Sequence, residues 1–494
     1  MRGALFMKAQ AKKNKWNTIK SKKIEDDGLS SDDEMEVSEN MLGKWYQNSK
    51  YIVVKYLGKG TFSRVWMVYC IEDGNYYAMK VLFPKYYDDS KYEYKINSLI
   101  KKNLVEDSCL LKIYEMFYEE KSLHIITELM GMCLLDVFNK GYNYDEDEFP
   151  SIDFVKYITA QLLKNIEELH AKNIVHTDIK QENIMINIMS DEQELYLKDI
   201  GNLTTKYEEL LSATYPENLY EMTSDRRKKV KRRCKIRAQK RLGEYVIDYS
   251  KGFLKSNSDA NSDNDSNSDA NSDANSDANS DASNNDNDAS DTNSLHIEDI
   301  DAVINSPIDS PFTKNKYETI FNENPEKIKV KIIDFGNAEI NEECSQDLIQ
   351  IRYYRPPENI INGEYTVKSD IWSIGCIIYE LLTGNYLFDI KSDDSRESDR
   401  EHLHEMYEIL GKMPREMTDE CEFSEELFDI KGRVLKLKQC DYTSISEILI
   451  TDFNFNDNDA INIQGFLKLL LEYNPKKRLS ATKCLEHEWL NNSR

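Results

Sequence analysis

From about residue 256 to residue 291 the chain is a repeat built on Asn-Ser-Asp-Ala, with almost no apolar side chains. A segment that cannot bury apolar surface has nothing to offset the entropy lost on ordering, so the repeat is expected to be disordered. Whatever folds must therefore be complete before the repeat, or must accept it as an excursion. Globular patterning stops near residue 199 and resumes at IKVKIIDFGNAEI (328–340), a buried strand running into a turn. The reading is one domain interrupted by a spacer at 199–328. Such a loop is tolerable because closure entropy grows only logarithmically with length.

Charge divides the chain further. The net charge is −25, yet residues 256–310 carry 14 acids and no bases, and residues 226–241 carry 11 Lys/Arg and no acids. The rest is strongly acidic, which favours basic partners over nucleic acid or an anionic membrane. No apolar run is long enough for a membrane span. The basic start MRGALFMKAQAKKNKW lacks the apolar stretch and cleavage site of a secretory signal, and is too poor in Arg and Ser for a good mitochondrial presequence. The nine cysteines are scattered without a CxxC pair, which argues for a reducing compartment, cytoplasm and nucleus.

Outside the spacer, the pattern changes once. Residues 1–50 read as a polar tail. From 51 to 130, YIVVKYLGKGTFSRVWMVYC, YYAMKVLF, LLKIYEMF and LHIITELM read as strands, with a helix over 91–102. From 131 to 198, and again over 329–494, the spacing is helical, as in FVKYITAQLLKNIEELHAK. The expected class is α+β: a small β-rich lobe, then a large α-helical lobe.

Several stretches carry chemistry. GKGTFSRV (58–65) lies between two strands, where Gly58 and Gly60 would let backbone N–H groups approach phosphates; an ordinary hairpin turn explains two glycines as well. AMKV places Lys80 inward among apolar neighbours, where it needs a carboxylate; Glu93 is the first candidate and Glu106 the fallback. HTDIKQEN supplies Asp178, Lys180 and Asn183, and DFG supplies Asp334, 151 positions after Asn183. In this order the set meets the needs of phosphoryl transfer. Asp178 can orient a hydroxyl and accept its proton, Lys180 can neutralise the γ-phosphate, and Asn183 and Asp334 offer hard oxygens to Mg²⁺. Singly, Asp178 could cap a helix and DFG could be a plain turn.

Together these motifs resemble those of the eukaryotic protein kinases, over everything outside the tail and the spacer. The resemblance implies a bilobal kinase fold, and ATP and Mg²⁺ as cofactors. It implies a nucleotide pocket from Leu57, Gly58, Gly60, Val65, Ala78 and Lys80, with Thr127 as gatekeeper and with Glu128 and Met130 offering hinge backbone groups. It also implies that Glu358 of PPE pairs with Arg478, and that Asp370 of DIWSIG braces the catalytic loop. Lys80, Asp178, Asn183 and Asp334 are all present, which favours an active enzyme over a pseudokinase scaffold.

Thr177 stands where most kinases have an arginine held by an activation-segment phosphate, a contact that threonine cannot make. The segment from Asp334 to Glu358 is short, with Ser345 its only hydroxyl before YYRPPE. Both features predict activity without phosphorylation there. HTDIKxEN is similar to the SR-protein kinases and the LAMMER kinases. IQIRYYRPPE, TGNYLF, LGKMPREM and the split by a long spacer resemble the first; DFG and EHLHEMYEILG partly resemble the second. The first implies Arg/Ser-rich splicing factors as substrates. Residues 389–408 hold eight acids against three bases, and Glu401 and Glu408 match positions of an acidic docking groove, while Asn385 departs from it. Arginine suits carboxylates better than lysine, so Arg-Ser peptides should be preferred. The basic segment 226–247 is expected to be helical; it resembles an import signal, so an import receptor or chaperone is the expected spacer partner, with docking on the kinase's own acidic groove as the rival. Deleting 199–328 is expected to leave peptide phosphorylation intact.

Overall fold

The computed structural model describes residues 40–102, 108–142, 148–262, 316–340, 348–362, 365–390, 396–419, 423–435 and 442–491. They form two compact units. The first draws on 40–58, 65–76 and 196–262; the second on 59–64, 77–195 and 316–491.

In the first unit, β1 (Trp45–Tyr46) pairs antiparallel with β2 (Tyr51–Lys59) in the register Trp45↔Ile52 and Tyr46↔Tyr51, and β3 (Ser63–Cys70) follows β2. Ile52, Val53 and Val54 are all fully buried, so neither face of β2 meets water over its first half. The spacer supplies helices to this unit: Leu203–Thr214 and the long helix Ser224–Ser262. Cys234, Ala238, Leu242 and Val246 recur every four residues on the long helix and are buried, while Lys and Arg fill the outward positions. The Tyr196 hydroxyl donates to the Val54 carbonyl and lies 3.0 Å from Ser250 Oγ, tying helix to strand. Trp45 Nε1 donates to the Gln239 carbonyl at 3.1 Å. Beside it, Gly43 (φ +72°) packs so closely that a Cβ would stand 2.6 Å from the Gly243 carbonyl oxygen.

These contacts correct two expectations. Residues 40–50 are not tail, because Trp45 and Gly43 are held by the long helix. The basic segment is part of a packed helix that continues to Ser262, into the start of the repeat. The remainder of the repeat, like residues 1–39, lies outside the described residues.

The second unit begins with β4 (Tyr76–Leu82), β5 (Ile113–Glu119) and β6 (Ser122–Glu128), in the order β4-β6-β5, with Ala78 opposite Thr127 and Lys80 opposite Ile125. Helix Tyr87–Lys102 carries Glu93. Below lie two central helices, Ile152–Ala171, capped by Ser151, and Val367–Thr383, opened by a Thr366/Ser369 capping box and closed by Gly384 at φ +73°. Phe154, Ile158, Leu162, Ile166, Trp372, Ile374 and Ile378 meet in one fully buried core. Two short ladders sit on it: β7 (Ile174–Val175) with β10 (Glu339–Ile340), and β8 (Ile184–Ile186) with β9 (Val330–Ile332). The chain leaves for the spacer from β8 and returns to its partner β9, so the excursion spans one hairpin. The return comes earlier than residue 329. Helix Lys316–Glu323 already packs here, with Tyr317 buried, its hydroxyl 2.9 Å from Met132 Sδ, and Phe321 against Phe154.

Candidate active site

Ladder β8–β9 explains how residues 151 positions apart become neighbours. Ile184 faces Ile332, and the Ile333 amide donates to the Asn183 carbonyl at 2.9 Å, which brings Asp334 beside Asn183. Lys80 reaches inward from β4, with Nζ 2.7 Å from Asp334 Oδ1 and 2.7 Å from Glu93 Oε1. Of the two candidates Glu93 is the partner; Glu106 lies outside the described residues. Burial alone would lower the Lys80 pKa, but the carboxylates of Asp334 and Glu93 outweigh it, and the ammonium is held more firmly than usual. The same Lys80 charge holds the Asp334 carboxyl at about 2, against its own burial.

On the loop after β7, Asp178 gathers its neighbours. Lys180 Nζ lies 3.0 Å from Asp178 Oδ2, and Asn183 Nδ2 donates to the Asp178 carbonyl at 2.9 Å and to Oδ2 at 3.1 Å. Asn183 therefore turns its amide nitrogen inward and keeps its oxygen for a ligand. Asp334 commits Oδ1 to Lys80 and to the Gly336 amide, which leaves Oδ2. One carboxylate and one amide oxygen suit a hard divalent cation whose remaining ligands come from nucleotide and water. Among the described residues no group of three or more His, Cys, Asp or Glu could hold a metal by itself.

The loop is fixed from below by Asp370, fully buried on the Val367–Thr383 helix. It accepts from the amides of His176 (2.9 Å) and Thr177 (3.1 Å) and lies 3.0 Å from His170 Nε2. The Asp178 amide donates to His176 Nδ1, so His176 Nε2 carries the proton and donates to the Ile333 carbonyl at 2.9 Å. Thr177 has φ +67°, rare for a β-branched residue. Its hydroxyl donates to the Asn337 carbonyl at 2.7 Å, and its own carbonyl accepts from the Gln350 amide at 3.0 Å. Glu358 and Arg478 form a buried bidentate pair at 2.8 Å and 2.8 Å, as expected.

Of the expected nucleotide pocket, Ala78, Lys80, Glu128 and Met130 stand together around β4 and β6, and Gly60 opens a turn closed by its own amide on the Ser63 carbonyl at 2.9 Å. Leu57, Gly58 and Val65 lie on β2 and β3 in the first unit. Sequence reasoning missed one ion pair here. Lys331 on β9 sets Nζ 2.7 Å from Glu128 Oε1 and 2.9 Å from the Leu110 carbonyl. The Glu128 carboxylate also accepts the Lys112 amide at 2.7 Å, and its own amide and carbonyl are engaged by the Lys112 carbonyl (3.0 Å) and the Thr127 hydroxyl (3.2 Å); the backbone of Met130 forms no main-chain hydrogen bond among the described residues. No local pattern announces a pair between strands so distant in the chain.

Glu401 and Glu408 both lie on helix Arg396–Leu410, Glu401 exposed and Glu408 3.6 Å from His404 Nδ1. Asp399 of the same helix is not on the acidic face; it is buried against Arg352 at 3.0 Å. Glu405, missed from sequence, accepts the Asp389 amide, and burial, aided by the charges of Asp389, Glu408 and Glu401, raises its carboxyl to about 7. Ser345 lies outside the described residues.

Comparison with known proteins places this geometry. The protein kinase domain family matches residues 51–214 and 316–490. SRSF protein kinase 3 of Homo sapiens is 27% identical over 501 residues, covering 90% of this chain and 87% of its own. Protein kinase dsk1 of Schizosaccharomyces pombe is 27% identical, covering 91% and 82%, and serine/threonine-protein kinase SRPK of Physarum polycephalum is 26% identical, covering 91% and 87%. The match to the family on both sides of the insertion, over a site with its ion pairs formed, leads to one conclusion: the chain belongs to the protein kinase family and is a protein serine/threonine kinase.

Proposed function

We propose that this kinase transfers the γ-phosphate of ATP, with Mg²⁺, to serines in Arg/Ser-rich splicing factors, and that it does so without phosphorylation of its activation segment. The observation that carries the catalytic reading is the meeting of Lys80, Glu93 and Asp334 beside Asn183 and Asp178. Asp178 orients the substrate hydroxyl and takes its proton as oxygen bonds to phosphorus and the bond to the β-phosphate oxygen breaks. Lys180 neutralises the phosphoryl oxygens. Lys80, aimed by Glu93, holds the nucleotide phosphates, and Gly60, Ala78, Glu128 and Met130 of the same unit line the nucleotide site. Asn183 and Asp334 would hold the Mg²⁺, which when bound offsets charge on the phosphates.

The substrate reading is supported by the names of the relatives and by carboxylates along Arg396–Leu410, where Glu401 and Glu408, with Glu405 between them, suit arginine side chains. We also place the enzyme in both cytoplasm and nucleus, its outward basic helix face serving an import receptor or chaperone; no nucleic acid or membrane contact is part of this reading. The test is an assay of full-length protein, shown by mass to be unphosphorylated, on an (Arg-Ser) repeat peptide and a Lys-Ser control. Mg²⁺-dependent transfer favouring Arg-Ser, abolished by Asp178→Asn, is expected. Equal rates on both peptides would remove the docking reading, and no transfer before phosphorylation would remove the activation reading.

A further inference from the structure

The ladder β7–β10 pairs Ile174 with Ile340 and Val175 with Glu339, so continuing the register sets Thr177 opposite Asn337. Backbone pairing cannot continue that far, because Thr177 turns to φ +67° and aims its amide at Asp370 Oδ1 instead. Its side chain completes the ladder in place of the backbone: the hydroxyl donates to the Asn337 carbonyl at 2.7 Å, one residue beyond the Asp334-Phe335-Gly336 turn. Asp334 also has positive φ, +64°. Each loop thus carries one strained residue, and the Thr177–Asn337 bond joins the two loops three residues past Asp334. Such strain, of order 1–3 kcal/mol per residue, persists only where the surroundings over-determine the conformation. Thr177 is also nearly inaccessible, at 4% exposure, and its carbonyl holds the Gln350 amide of the activation segment at 3.0 Å.

We propose that Thr177 is a positioning residue whose hydroxyl fastens the Asp334 turn to the catalytic loop, doing with one neutral hydrogen bond what a phosphate-held cation would otherwise do. This rests on the reading that the unphosphorylated enzyme is active. It adds that the donor itself is the requirement, and that threonine is not a space-filler. The hydroxyl acts through Asp334 and Asp178 without touching substrate.

The test compares four variants of the full chain, expressed without phosphorylation, by kcat and by KM for ATP. Thr177→Ser keeps the donor, and Thr177→Asn keeps a donor on a residue that tolerates positive φ; both are expected within about threefold of wild type. Thr177→Val removes the donor while keeping the shape. Thr177→Gly removes it while relieving the backbone, which guards against misfolding. Both are expected to lose about tenfold in kcat, the worth of one buried hydrogen bond, with KM for ATP unchanged. Val or Gly turning over like wild type would overturn the proposal, as would Ser failing alongside Val. A wild-type enzyme silent until phosphorylated would instead overturn the underlying activation reading and this inference with it, an outcome distinguishable because it needs no variant.

Discussion

At the scale of single residues, environment decides what each carboxyl does. Asp334, facing Lys80, stays ionised at any working pH, whereas partial burial, with the charges of Asp389, Glu408 and Glu401, pushes the half-buried Glu405 carboxyl up to about 7. The sign follows. A folded-state pKa above the ordinary carboxyl value means that Glu405 stabilises the fold in its neutral form, fully at low pH and less as pH rises through about 7. The helix face with Glu401, Glu405 and Glu408, proposed to dock substrate, gains charge over the same interval. Affinity for an arginine-rich peptide, read as KM, should therefore tighten a few-fold from pH 6 to pH 8, and Glu405→Gln should flatten that change and raise stability at pH 8. The residues that meet at the candidate site were legible because HTDIKQEN and DFG state their own spacing. Glu405, the Lys331–Glu128 pair and the partner of the Thr177 hydroxyl were not, because each depends on which strands and loops the fold brings together.

Among elements, two attachments matter most. Arg478 and Glu358 are buried and joined by two hydrogen bonds, so removing one partner strands a charge in the core. Arg478→Met should cost about 3–5 kcal/mol in urea unfolding, more than any exposed pair in the molecule. In the other unit the long helix hangs on an apolar seam. Leu242→Ala should cost about 2–5 kcal/mol, followed by unfolding of the first unit. Strand and helix positions were legible to within a few residues: Tyr87–Lys102 against 91–102, Ile152–Ala171 against FVKYITAQLLKNIEELHAK. The packing of the spacer helix was hidden by its composition. Eleven cations dominate residues 226–241, and the four-residue recurrence of Cys234, Ala238, Leu242 and Val246 is faint beside them. Geometry overrode composition, because a helix needs only one apolar stripe to dock.

For the whole molecule, the spacer is two things. The long helix packs as far as Phe253 and runs on to Ser262, helix Lys316–Glu323 is packed in the second unit, and residues 263–315 lie outside the described residues. Deleting 263–315 should leave the rate on peptide within about twofold, because closing entropy changes slowly with loop length. Deleting 199–328 should instead give insoluble protein, contrary to the sequence expectation, since it strips the buried seam and the Phe321 contact. The hairpin of β8 and β9 has a consequence of its own. A cut anywhere in the intervening stretch gives one polypeptide ending after Asn183 and another beginning before Asp334, neither holding both of those residues. Co-expressed as separate genes, residues 1–262 and 316–494 should reassemble through that hairpin, so that phosphotransfer itself reports the reunion of two halves.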